Sequence, residues 1–177
     1  MRWLSLLFLL LNSGLCFSQG NLVPNPSFEN YTTCPSFASQ LDRAVPWFNP
    51  NIGTPEYFNA CATWGSYMSL PAGSTGHFQY PRTGNAFAGI YVFRTDVQNM
   101  REYVEVELTE PLEADKCYYL EFFVNMPNDH TYACDGVGAY VSQGVITGTN
   151  ANPLTVVPQV KNPAGNLIAD TLSWTKV

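Results

Sequence analysis

Arg101-Glu102-Tyr103-Val104-Glu105-Val106-Glu107-Leu108 sets Val104, Val106 and Leu108 against Glu105 and Glu107 at strict period two. Successive side chains of an extended chain point to opposite faces, so this octapeptide predicts a half-buried antiparallel strand with its acids toward water. The same reading extends outward. Residues 117–126 carry Tyr118, Leu120, Phe122 and Val124 on one face and Tyr119, Glu121, Phe123 and Asn125 on the other. Residues 85–93 place Ala86, Ala88, Ile90 and Val92 opposite Phe87, Tyr91 and Phe93, and further strands are expected at 137–142 and 154–161. Turn signals lie between them: Pro111 with Glu113-Ala114-Asp115, Pro127-Asn128-Asp129, Gly144, and Asn162-Pro163-Ala164-Gly165-Asn166. Regular strands with turn punctuation and no helical period predict an all-β antiparallel β-sandwich.

Upstream the texture differs. From Gln19 to about Thr83 the chain is rich in Pro, Gly, Asn and aromatic residues, and eight prolines from Pro24 to Pro81 interrupt any helix. This half reads as one short strand at 23–29 followed by long loops. Downstream, 173–177 begins like a strand and the sequence then stops. A sandwich without its last strands would leave an unpaired apolar edge, so the domain is expected to be truncated at its C-terminal end. Of the 177 residues 46% are hydrophobic, 14% aromatic and 12% charged, enough for one domain with a real core and too aromatic for disorder. The formal charge of -6 makes a phosphate backbone a poor partner and excludes a nucleic-acid-binding role.

The first residues read as an address. Met1-Arg2 precedes an apolar run from Trp3 to Leu11, too short to span a bilayer and of secretory-signal proportions. Cleavage after Ser18 would leave a mature domain at 19–177 that is secreted or held at the cell surface (outer membrane). Lipidation at Cys16 is the alternative, although Leu15 stands where a small residue is required. No later stretch is long and apolar enough for a transmembrane helix.

The mature part keeps Cys34, Cys61, Cys117 and Cys134, an even number that suits two disulfides in an exported chain. Cys34–Cys61 and Cys117–Cys134 are the expected pairs, because each brackets one local segment. Closing a loop of such length stabilises by roughly 3 kcal/mol in the chain-entropy model. A zinc site would need paired Cys or His spacings that are absent; the histidines are His77 and His130.

Catalytic signals are weak. Gly73-Ser74-Thr75-Gly76-His77 sets a serine near a histidine but lacks the strand-to-helix elbow of a nucleophile. Glu105 and Glu107 lie about 7 Å apart on one strand face, a glycosidase-like separation, but they fit a water-facing sheet surface and nothing marks a cleft. No catalytic residue is assigned, and the chain is expected not to be an enzyme.

Several phrases carry a likeness: 21–29 (Asn-Leu-Val-Pro-Asn-Pro-Ser-Phe-Glu), 54–61 (Thr-Pro-Glu-Tyr-Phe-Asn-Ala-Cys), and Pro81-Arg82-Thr83-Gly84-Asn85-Ala86-Phe87. Arg101-Glu102-Tyr103, Gly138-Ala139-Tyr140, Pro158-Gln159-Val160 and Trp174-Thr175 add to it. Together they resemble the N-terminal module of exported proteins of gliding Gram-negative bacteria. The resemblance implies a galactose-binding-like jelly roll, often fused to a peptidoglycan-binding domain like that of outer-membrane protein A, or to a type IX sorting domain. The opening phrase is also similar to that of carbohydrate-binding jelly rolls, which implies a structural calcium held by hard oxygen ligands, here Glu29 and Asp135. A solvated strand-end role for Glu29 stays open.

Binding is the better-supported expectation. Trp47, Phe48, Tyr57, Phe58, Trp64, Tyr67, Phe78 and Tyr80 crowd into segments read as loops. Aromatic faces stack on sugar rings while a few polar groups satisfy hydroxyls. Trp64, Tyr67, Tyr80, Arg82 and Arg101 are therefore the expected ligand contacts, toward a glycan or another cell-envelope component. The same aromatics also suit a satellite core under the loops, above all Trp47, Tyr57 and Phe58. A structural or adhesive envelope role is the alternative function.

Overall fold

The computed structural model describes residues 20–70 and 79–177. The expected signal segment at 1–18 and the Ser74 and His77 pair lie outside them. The described residues are all-β apart from one 3-10 turn, Leu41–Arg43. Among them no helix is long and apolar enough to cross a membrane.

Six short strands pair into three separate two-stranded antiparallel sheets. Strand β1 (Glu56–Asn59) pairs with β2 (Ala86–Gly89), with Tyr57 opposite Ala88 and Phe58 opposite Phe87. Strand β3 (Phe123–Val124) pairs with β6 (Thr175–Lys176), and β4 (Gly138–Ala139) with β5 (Val160–Lys161).

The core sits where the sequence suggested loops. Tyr57 is fully buried among Ala44 and Ala86, with Phe28 packed on the cluster. Its hydroxyl donates to the Phe28 carbonyl at 2.9 Å and accepts from Asn59 Nδ2 at 2.7 Å, so no polar atom is wasted in that apolar setting. Burial pushes the Tyr57 hydroxyl up to about 12, with the Asn59 hydrogen bond opposing. On the other face of β1, Phe58 stacks on Phe87 with ring centres 4.8 Å apart. Leu41, Ala62 and Met68 are buried as well, all from the first half of the chain.

Asparagines organise the turns between these pieces. Asn25, at φ 46°, donates from Nδ2 to the Asn30 and Val45 carbonyls at 2.9 and 2.7 Å and accepts the Asn30 N–H at 2.9 Å. Its own carbonyl receives the Trp47 indole N–H at 2.8 Å. Asn49 joins the Gly53 carbonyl and the Asn51 N–H, and buried Asn162 ties the Asp135 and Asn166 carbonyls. The short amide reaches its neighbours' backbone and tolerates left-handed φ, which makes such residues turn formers.

Several expected strands are shorter than their patterns. Residues 23–29 form turns, with φ positive at Asn25 and Phe28 and Phe28 N–H donating to the Asn25 carbonyl at 3.1 Å. The segment 101–108 contributes a single bridge, Glu105 to Phe48. Its backbone serves different partners in turn: Arg101 N–H donates to Ala151, Glu102 to Tyr91 and Glu105 to Phe48. An extended chain whose donors go to unrelated segments satisfies its backbone without building a ladder. Residues 117–126 likewise yield only β3.

One expected disulfide is present: Cys34–Cys61, with Cα atoms 5.6 Å apart. The Cys117–Cys134 bridge is not formed, and both are free thiols. Phe122 pairs with Val177, while Cys134 bridges to Ile168. Cys117, five residues before Phe122, and Cys134 therefore lie toward opposite ends of the segment that pairs with 168–177. A bridge needs Cα atoms within about 7 Å.

Candidate functional site

Beyond β2 the chain runs outward through Tyr91, Phe93 and Arg94, and one buried carboxylate fixes its course. Glu102 is 2% exposed. Its Oε2 accepts the Tyr91 N–H at 2.8 Å, and its own N–H donates to the Tyr91 carbonyl at 3.0 Å. Its Oε1 accepts the N–H and hydroxyl of Thr54 at 3.0 and 2.9 Å. Asn51 braces the same junction, donating to the Arg101 carbonyl and accepting the Gly53 N–H, both at 3.0 Å. Thus the period-two pattern of 101–108 placed Glu105 and Glu107 but missed that the preceding acid turns inward. Of the two, Glu105 accepts the Ile146 N–H at 3.0 Å and is half-buried, while Glu107 is exposed.

Held this way, Tyr91, Phe93, Arg94, Thr95, Asp96 and Tyr132 line an open groove of about 230 Å³. Phe93 and Tyr132 are 50% and 67% exposed, and their rings meet edge to face at 5.8 Å and 70°. Two faces at that angle form a corner rather than a flat platform. Arg94 clasps Asp96 through Nε at 2.9 Å and Nη2 at 2.5 Å, a two-pronged geometry, and lies over the Tyr91 ring at 5.2 Å. His130 lies 6.2 Å from the Tyr91 ring and contacts Asp129 at 3.1 Å.

The electrostatics follow from these contacts. The Arg94 hydrogen bonds hold the Asp96 carboxyl below its ordinary range, and Asp96 in turn holds the guanidinium up. Burial raises the Tyr91 hydroxyl, and repulsion from Glu56, Glu102 and Asp129 adds to it against the pull of Arg94. Such a groove offers aromatic faces beside a donor–acceptor pair fixed in space.

The expected contact residues fall in different settings. Trp64 is 87% exposed, and Tyr67 packs edge-on to Phe37 at 5.6 Å. Arg82 lays its guanidinium 3.4 Å above the Phe123 ring, which occupies it as a cation–π partner. The Tyr80 carbonyl accepts the Trp174 indole N–H at 3.1 Å while its ring is half-exposed. Arg101 donates to the Met100 carbonyl at 2.7 Å. None of the five lines the Phe93–Tyr132 groove.

The two acids expected to hold calcium each tie a turn. Glu29 Oε1 accepts the Asn85 N–H at 2.8 Å, and Asp135 Oδ2 accepts the Gly165 N–H at 2.6 Å. Among the described residues no group of three or more His, Cys, Asp or Glu is placed to hold a metal ion. Glu29 also borders a second hollow of about 420 Å³ with Tyr31, Asn59, Cys61 and Asn85. There the polar groups already serve the fold, since Asn59 holds the Tyr57 hydroxyl and the Cys61 N–H.

Of the groove residues, the 85–93 alternation reads Tyr91 and Phe93 as a strand face and assigns nothing to Arg94, Thr95, Asp96 or Tyr132. The usable signal was local: Phe93-Arg94-Thr95-Asp96 sets an aromatic beside a cation and an acid at the end of an apolar run. In comparisons with known proteins the chain matches no family model, no curated protein and no solved structure.

Proposed function

We propose that this chain is a non-catalytic binding module of jelly-roll architecture, exported to the cell surface or beyond, that holds a glycan in the Phe93–Tyr132 groove. The observation that carries the reading is the exposed aromatic corner set against the Arg94–Asp96 pair. Large aromatic faces left in water cost free energy unless a ligand covers them, and sugar rings present the apolar C–H faces that suit them. The fixed guanidinium and carboxylate supply the oriented hydrogen bonds that give such a site direction. A corner of two tilted rings suits a soluble or chain-end sugar better than the flat face of a crystalline polymer. No cofactor enters this reading, and Glu29 and Asp135 act in it as turn ties.

The experiment is a glycan array read with the wild type and with a Phe93→Ala/Tyr132→Ala variant. Both rings are exposed, so thermal unfolding should hardly change. Loss of two contact aromatics should weaken binding by roughly tenfold or more. Equal binding by the variant, or no binding by a folded wild type, refutes the reading.

The solvent-facing Trp64 and the Phe37–Tyr67 pair favour a second reading, a structural or adhesive envelope part. Trp64→Ala would then reduce attachment to cells while leaving any glycan binding intact.

A further inference from the structure

We infer that the groove selects uncharged sugars over uronate- or sulfate-bearing ones, an inference that rests on the glycan reading above. Arg94 is the cation lining the groove, and its charge is already matched. Both prongs of the guanidinium are engaged by Asp96, and the remaining nitrogen lies 3.7 Å from the Met100 sulfur. An anionic ligand would meet a guanidinium whose charge Asp96 already balances, so a second acid gains little there.

The surroundings work the same way. Glu56, Glu102 and Asp129 act electrostatically on Tyr91 from elements packed around it, and the chain as a whole carries a formal charge of -6. A carboxylate or sulfate approaching the aromatic corner therefore enters a field of its own sign. A neutral pyranose does not. It stacks on Phe93 or Tyr132 and meets the exposed edge of the Asp96 carboxylate without breaking the ion pair. The Arg94–Asp96 clasp thus acts as a filter: it keeps the arginine oriented for hydroxyls and withholds it from acids.

Asp96 is the residue to change. It is 62% exposed, so Asp96→Asn should leave the fold intact while removing the charge that neutralises Arg94. The probe is an array of neutral oligosaccharides and their uronate- or sulfate-bearing counterparts, read at low and high salt. Wild-type binding should be confined to neutral members, by about tenfold or more at low salt, with the margin narrowing as salt screens the repulsion. Asp96→Asn should gain roughly tenfold for uronates, and added salt should remove that gain. Wild-type binding to acidic members as strong as to neutral ones, or no acidic gain in the variant, overturns the selectivity alone. Absence of binding to every member overturns the glycan reading and the selectivity with it.

Discussion

Replacing Glu102 by alanine should be among the most damaging single changes in this chain, although the site looks like an ordinary strand acid in sequence. The side chain is 2% exposed and accepts from two backbone N–H groups, those of Thr54 and Tyr91, and from the Thr54 hydroxyl. The hydroxyl can rotate to another acceptor. The backbone donors cannot, and each buried donor left unsatisfied costs about 1–3 kcal/mol. Alanine also relieves the desolvation of the carboxylate, so the net loss should be about 3–4 kcal/mol. With a urea slope of about 2 kcal/mol/M for a domain of this size, the unfolding midpoint should fall by nearly 2 M. Glu102→Gln keeps the volume and one oxygen but turns an NH2 toward one of the donors, so it should lose roughly half as much. Urea denaturation followed by tryptophan fluorescence measures both. A loss below about 1 kcal/mol for Glu102→Ala would refute the claim that this carboxylate holds the Tyr91 segment in place.

Three other outcomes are expected. Removing the Cys34–Cys61 bridge by a double serine substitution should cost roughly 3 kcal/mol, read as a lower urea midpoint without loss of cooperativity. Gly84 sits at φ 66° with the Glu29 carboxylate where a Cβ would go, so Gly84→Ala should cost about 1–3 kcal/mol. That cost should shrink when Glu29 is also replaced by alanine, a coupling that a double-mutant cycle detects. Burial raises the Glu56 carboxyl above its ordinary 4.5, repulsion from Glu102 adds to it, and the Ser39 N–H opposes. A raised acid binds its proton more tightly in the folded than in the unfolded chain, so stability falls as pH rises from 4.5 through the folded value. Glu56→Gln should flatten that part of the stability-versus-pH curve, and an unchanged slope would show that Glu56 is not its source.

How much of this could be read in advance depends on the range of the forces involved. The period-two pattern at 85–93 located β2, because alternation is written locally into neighbouring residues. It could not choose partners: the 101–108 segment has the right faces but spends its backbone donors on Ala151, Tyr91 and Phe48. Strand β1 was hidden for the opposite reason. Tyr57, Phe58 and Asn59 are all buried, so both faces are covered and no alternation survives. The all-β class and the Cys34–Cys61 bridge were legible. The Cys117–Cys134 expectation failed because proximity in sequence says nothing of which ladder end a residue occupies. The groove needed both problems solved at once, since Phe93 and Tyr132 meet only after the 38 intervening positions fold back.

The turn-organising asparagines share a neighbour. Asn25, Asn49 and Asn162 are followed by Pro26, Pro50 and Pro163. Spontaneous deamidation begins when the backbone nitrogen of the next residue attacks the side-chain amide and closes a succinimide ring. A proline nitrogen carries no hydrogen, which shuts that route. Conversion of Asn25 to a carboxylate would set negative charge against the Asn30 and Val45 carbonyls it now donates to. The amides on which three turns hang are thus the ones shielded from chemical ageing.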